Sequence, residues 1–155
     1  MQECYFSARK IKEGKLKSKL SMVVTVFCIL AFSCSASTDQ AAEESAIAAS
    51  KTWLSFVDDG RYSDSWDEAA TFFKSAVTNE QWLASMKAFR MPLGKSISRK
   101  IKSKQYATSL PGGPDGKYVV IQYETSFEHK KSAIETITPM LDKDGTWRVS
   151  GYYIK

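Results

Sequence analysis

Arg99 and Glu135 are the residues of this 155-residue chain whose placement most invites chemistry. Arg99 falls between Ile97 and Ile101 at a spacing of two, and Glu135 alternates in the same way with Ala133 and Ile137. In an extended strand every second side chain shares a face, so each charge stands among apolar neighbours. A charge placed there is costly unless it is paired. The pattern fits a structural ion pair or an edge-strand charge that blocks aggregation. It also fits the polar floor of a ligand cavity, with Arg99 gripping a carboxylate or phosphate through two hydrogen bonds. Two further ligand contacts join them as candidates. Tyr123 lies on the alternating face Val119, Ile121, Tyr123, Thr125, Phe127, and Arg90 ends a helix, where a cation can instead serve the helix dipole.

Much other chemistry is excluded by the residues present. His129 is the single histidine and sits in a Lys-rich turn, so it is a poor general base. No Gly-x-Ser-x-Gly elbow occurs, and the Gly-rich run Leu110–Gly116 lacks both the Lys-Ser/Thr ending and a following helix. A zinc site of His and Cys cannot be assembled. Neither a catalytic set, nor a metal site, nor a cofactor is expected. One enzymatic option stays open: Glu135, or Asp67 beside Trp66, as a buried base raised in pKa by desolvation.

Two other groupings have a bland and a sharp reading. Lys100, Lys102 and Lys104 fall two apart and read as a solvated stripe, or as contacts for an anionic envelope partner. Trp53, Trp66, Trp82, Tyr62 and Phe73 fit a core better than an aromatic ligand platform, because they lie on the stripes that already make the helices amphipathic. Phe72 lies off that stripe.

The elements that carry these residues divide the chain by period. Asp39 caps a helix over 39–57, with Ala46, Ile47, Ser50, Trp53, Leu54 and Val57 on one face and Asp58-Asp59-Gly60 ending it. A second helix covers about 63–76. Thr78-Asn79-Glu80-Gln81 has capping-box spacing and opens a third, bearing Trp82, Met86 and Phe89 and ending before Pro92. From Gly94 the period becomes two. Strands are expected over Ile97–Thr108, Lys117–Phe127, Ala133–Leu141 and Thr146–Ile154, with Pro139 marking a bulge or an edge and Lys143-Asp144-Gly145 a hairpin. Trp147 and Tyr153 would share one face of the last strand, with Tyr152 and Ile154 on the other. Helices first and a meander after them make an α+β domain: about three N-terminal helices on a four-stranded, curved antiparallel sheet, expected to form a cone.

The N-terminus reads as an export signal. Of the formal net charge of +5, the first twenty residues, with six basic and two acidic side chains, hold +4. An uncharged run, Ser21 to Phe32, follows, and then small residues. The run is too short for a helix crossing a ~30 Å hydrocarbon core, which takes about 20 residues, and the order of segments is that of a signal peptide over 1–36. Cleavage after Ala36 or Ser37 gives a soluble periplasmic product; a lipoprotein-type cut before Cys34 gives a lipid-anchored one, and Met1 and Met22 are both candidate starts. Cys4, Cys28 and Cys34 all lie at or before this boundary, so a mature domain over 39–155 would rely on its apolar core rather than on disulfides. Nucleic acid is an unsuitable partner for an exported chain whose mature part is nearly neutral.

Several motifs carry a family resemblance. They are Trp53-Leu-x-Phe-Val-Asp58-x-Gly-x-Tyr62-x-x-Ser-Trp66, Phe89-Arg90-x-Pro92-Leu-Gly94, Ser98-Arg99, Leu110-Pro-Gly-x-Pro-Asp-Gly116-x-Tyr-Val, Glu135-Thr136 and Asp144-Gly-x-Trp147-Arg-Val-x-Gly-Tyr152. Over about residues 45–155 the chain resembles a bacterial family of exported domains known as domain of unknown function 4019. The resemblance implies an exported fold similar to the nuclear-transport-factor-two-like or cystatin-like cones, and no particular activity. The expectation is therefore a non-catalytic envelope domain that binds a small molecule or an envelope partner. A cone-fold enzyme and an accessory docking subunit are the alternatives.

Overall fold

In the computed structural model, residues 34–155 are described. Residues 1–33 of the signal segment fall outside them, and of Cys34, the candidate lipidation site, only the backbone is described. Four α-helices come first: α1 Cys34–Asp58, α2 Tyr62–Asp67, α3 Thr71–Ala76 and α4 Asn79–Ser85. A π-helical turn, Met86–Arg90, and a 3₁₀ turn, Met91–Leu93, lead into the strands. These are β1 Ser96–Ala107, β2 Tyr118–Phe127, β3 Ala133–Leu141 and β4 Trp147–Ile154, paired antiparallel in the order β1-β2-β3-β4. The class is α+β, and Thr38–Lys155 form one compact unit.

α1 supplies the central rib of the core. Ala46, Ser50, Trp53, Leu54 and Val57 are buried on its one face, against Val119, Ile121, Tyr123, Ile137 and Val149 of the sheet. The buried indoles of Trp53 and Trp82 and the half-buried one of Trp66 each find an acceptor, as a buried N–H must. Trp53 donates to the Ser65 carbonyl (2.6 Å), Trp82 to the Ser65 hydroxyl (2.9 Å) and Trp66 to the Val77 carbonyl (2.8 Å). Trp53, Trp82, Phe73 and Tyr152 pack in tilted and edge-on pairs with ring centres 5.2–6.2 Å apart. Such pairs contribute beyond their area alone.

Four local expectations are corrected. The second helix is two, because Ala70 is extended and gives its N–H to the Val149 carbonyl of β4 (2.9 Å). That bond also occupies part of an edge strand. Phe72 then packs with Ala70, Tyr118 and Met140 in a small second core. Further on, the third helix changes to π geometry at Met86, so its stripe no longer follows 3.6 residues. Arg90 is buried there, while Phe89, expected inside, is 73% exposed.

In β1 the register shifts between Ile101 and Ser103. A bulge inserts one residue and reverses the faces beyond it. The three lysines are therefore not one stripe: Lys104 lies opposite buried Ile121 and pairs with Glu43 of α1 at 2.7 Å, while Lys102 approaches Glu124 at 3.4 Å. In β3 and β4 a shift falls at Thr138/Pro139, where Pro139 suggested a bulge. It puts Tyr152 on the core side with Trp147 and leaves Tyr153 62% exposed, reversing the grouping expected for the last strand.

Candidate functional site

Arg99 and Glu135 meet through β2, the strand between theirs. Arg99 lies opposite Thr125, and Tyr123 lies opposite Glu135, so all four side chains share the core face of the sheet. Arg99 Nε donates to Glu135 Oε2 at 2.6 Å and Nη2 to Oε1 at 3.2 Å. Thr125 donates to Oε2 at 2.5 Å, and the Tyr152 hydroxyl donates to Oε1 at 2.7 Å. Glu135 is fully buried, and these donors fill the places a carboxylate offers. A carboxylate so held has no free lone pair with which to take a substrate proton.

Arg99 has a second acidic partner. Its Nη1 and Nη2 grip Asp58 at the end of α1 as a fork, at 2.7 and 3.0 Å. Arg90 Nη2 reaches the same carboxylate at 2.9 Å, and its Nη1 donates to the Gly94 carbonyl at 2.7 Å. Two guanidinium groups and two carboxylates therefore balance in one network that joins α1, the π turn, β1 and β3. Burial works against the charge on Asp58, but hydrogen bonds from Arg99 and Arg90 hold its carboxyl below the ordinary value of 3.8. Burial likewise opposes charge on Arg99, and its two carboxylate partners outweigh that and raise its pKa. The Tyr152 hydroxyl is pushed upward by burial and by the Glu135 charge, so it stays protonated as a donor.

Gly94 is required at the rim of this network. Its φ is +74°, in the left-handed region that glycine tolerates, and a Cβ there would stand 2.7 Å from Glu128 Oε2. The turn so formed presents the carbonyl that Arg90 binds.

The remaining candidates are placed elsewhere. Tyr123 is buried and shares a 2.8 Å hydrogen bond with Ser50 of α1, and burial raises its pKa. It pins α1 to the sheet beside the network without joining it. Asp67 ends α2, where its carbonyl accepts from Lys74 Nζ (2.8 Å). His129 is exposed. Among the described residues, no group of three or more His, Cys, Asp and Glu stands close enough to hold a metal ion.

Asp58 and Tyr152 are members that sequence reasoning did not single out. Asp58 read as a helix terminator; it is exposed at the end of α1 and enters the network only because Arg90 and Arg99 reach it from the π turn and β1. Tyr152 was hidden by the bulge, which alternation along one strand does not reveal.

A groove of about 550 Å³ opens between the α4–π segment and β4. Phe73, Val77, Met86, Phe89 and Ile154 are among its walls, with Trp82, Tyr152 and Tyr153, and Arg90 is its one charged residue. Phe89 and Tyr153 leave large apolar surface open to solvent beside it. A second depression, about 520 Å³, lies by Phe72, Pro114, Asp115, Met140 and Asp142. Asp142 there accepts from the Thr71 N–H and hydroxyl and from Arg148 (3.1–3.3 Å), which ties α3 to the last hairpin.

Residues 49–152 match the family described as Protein of unknown function (DUF4019), and the chain belongs to that family. No curated protein and no solved structure matches the chain, so the cone shape stays an expectation of the resemblance.

Proposed function

We propose that this is an exported, non-catalytic domain that binds a small apolar molecule in the groove between the α4–π segment and β4. The carrying observation is the division of labour between polar and apolar sites. The acids and arginines inside are engaged with one another, whereas the groove offers aromatic and aliphatic walls to solvent. Its volume lies within the range of about 300–1,000 Å³ typical of small-molecule sites. Exposed large apolar side chains gathered around one concavity mark a binding surface more often than scattered ones do.

Export rests on the basic and apolar leader. Among the residues of α1 whose burial is described, Ala46 is the first buried one, and the family match begins at 49, so both lie beyond the proposed cuts before Cys34 or after Ala36 or Ser37. Intact mass of the protein recovered from a bacterial envelope fraction tests this. A product beginning at Cys34 with an acyl adduct, or beginning at Ser37 or Thr38, is expected; an unprocessed chain in the cytosol would contradict export.

Binding is tested with N-phenyl-naphthylamine, a neutral probe that brightens in apolar surroundings. Saturable binding is expected, weakened about tenfold or more by Tyr153→Lys, which corresponds to about 1.4 kcal/mol or more. As Tyr153 is exposed, the same substitution should change stability by no more than about 0.5 kcal/mol. Absence of saturable binding would overturn the reading.

A further inference from the structure

The groove runs along an open edge of the sheet. Tyr152, Tyr153 and Ile154 all line it, yet successive side chains of a strand point to opposite faces. Tyr152 lies with the core, and Tyr153, opposite Thr136, lies on the outer face. One concavity can touch both only by passing along the side of β4, where the backbone faces it. That side is the free one, since β4 pairs with β3 alone.

The ladder shows which backbone groups stand there. Ile134 and Lys155 exchange both of their N–H and C=O bonds, at 3.0 and 2.9 Å. Bonded and non-bonded pairs alternate in an antiparallel ladder. Tyr153 therefore bonds inward to Thr136, and the N–H and C=O groups of Tyr152 and Ile154 point off the sheet. Among the described residues, no backbone group of another element reaches them. Beyond the bulge Val149 faces out as well, and its carbonyl accepts from the extended Ala70. The chain thus covers one end of this edge with a strand-like contact of its own and leaves the end beside the groove uncovered.

Open edges usually carry lysine, proline or a bulge as a guard against pairing. β1, the opposite edge, has Lys100, Lys102, Lys104 and two register shifts. From Gly151 to Ile154, β4 has none of these guards.

We infer that the groove holds a short apolar peptide in extended conformation, added to the sheet as a fifth strand beside β4. This rests on the groove reading above and names the ligand class. Peptide addition to a sheet edge draws affinity from main-chain hydrogen bonds and specificity from pockets for alternate side chains. Here the N–H and C=O of Tyr152 and Ile154 bond the peptide backbone, continuing the row that Ala70 begins. Every second side chain of the peptide packs toward Phe73, Val77 and Met86. The walls hold no acid, and Arg90, their one cation, is engaged by Asp58 and Gly94, so uncharged side chains fit. A second copy of the chain is a poor occupant, because pairing β4 with β4 would bring a second α4–π segment onto the first.

The test uses the mature exported protein and the capped tetrapeptide acetyl-Val-Leu-Val-Leu-amide. Two isomers of it carry N-methyl groups, one on the first and third residues, the other on the second and fourth. Only alternate N–H groups of an added strand face β4. One isomer should therefore bind as the parent does, and the other about tenfold or more weakly, since two hydrogen bonds are lost. In hydrogen exchange the parent peptide should protect the Tyr152 and Ile154 amides, while Tyr153, already bonded to Thr136, changes little. Equal binding of the two isomers, or Tyr152 and Ile154 amides left unprotected, would overturn strand addition and leave the groove reading intact. So would failure of the peptide to bind where N-phenyl-naphthylamine does; if neither bound, the groove reading would fall too. A dimer in solution with those amides already protected would give the edge to a second copy and overturn the inference as well.

Discussion

Asp58 takes hydrogen bonds from two arginines, and one of those, Arg99, also grips the fully buried Glu135. Removing a partner from such a set leaves a buried charge without compensation, typically destabilising by about 3–5 kcal/mol. Arg99→Gln, which leaves the fully buried Glu135 without its cation, should therefore lower unfolding stability by about that amount in urea titration. A double-mutant cycle of Arg99→Ala with Glu135→Ala should give a coupling of about 1 kcal/mol or more; a coupling near zero would mean that the pair is not energetically linked. Asp58 adds an acid dependence. Its pKa is depressed in the folded state, so its contribution is fully present above the ordinary value of 3.8 and is lost as pH falls through the lower folded value. The melting temperature of Asp58→Asn should lie below the natural protein's at neutral pH, and the gap should narrow below about pH 4. That Arg99 and Glu135 needed partners was legible from charge on an alternating apolar face. That Asp58 and Tyr152 complete the set was not, because one enters from a helix end and the other depends on a bulge.

The elements were legible wherever one period ran undisturbed, and lost wherever the backbone changed period. Strand β2 alternates throughout, and its core face is the expected Val119, Ile121, Tyr123, Thr125, Phe127. The capping box at Thr78 and Gln81 forms as its spacing required: the Thr78 hydroxyl accepts from Gln81 N–H, and the Gln81 side chain accepts from Thr78 N–H. Thr78→Ala should cost about 1 kcal/mol in denaturant unfolding. The misreadings share a cause. An extra residue in β1, a bulge opposite Pro139 and the π turn at Met86 each move later side chains to another face, and composition does not reveal where such an insertion falls. In the groove, Tyr153 and Phe89 come to the surface through two of these insertions. The surface on which function is proposed was therefore the part hardest to foresee.

At the scale of the molecule, a helical layer covers the core face of one antiparallel sheet, and polar and apolar features are separated between two places. The network of Asp58, Arg90, Arg99 and Glu135, which runs from exposed Asp58 to fully buried Glu135, locks α1 and the π turn to β1 and β3, and its charges balance. The groove beside β4 is open, apolar and edged by exposed aromatic side chains. On this account the first fixes the scaffold and the second meets the ligand. The most direct test is a map of amide and methyl shifts across the folded domain as N-phenyl-naphthylamine is added. The account predicts perturbations confined to the groove, at Trp82, Met86, Phe89, Arg90 and Ile154, with Arg99, Thr125 and Glu135 unmoved. Perturbations centred on Arg99, Thr125 and Glu135, with the groove silent, would contradict it.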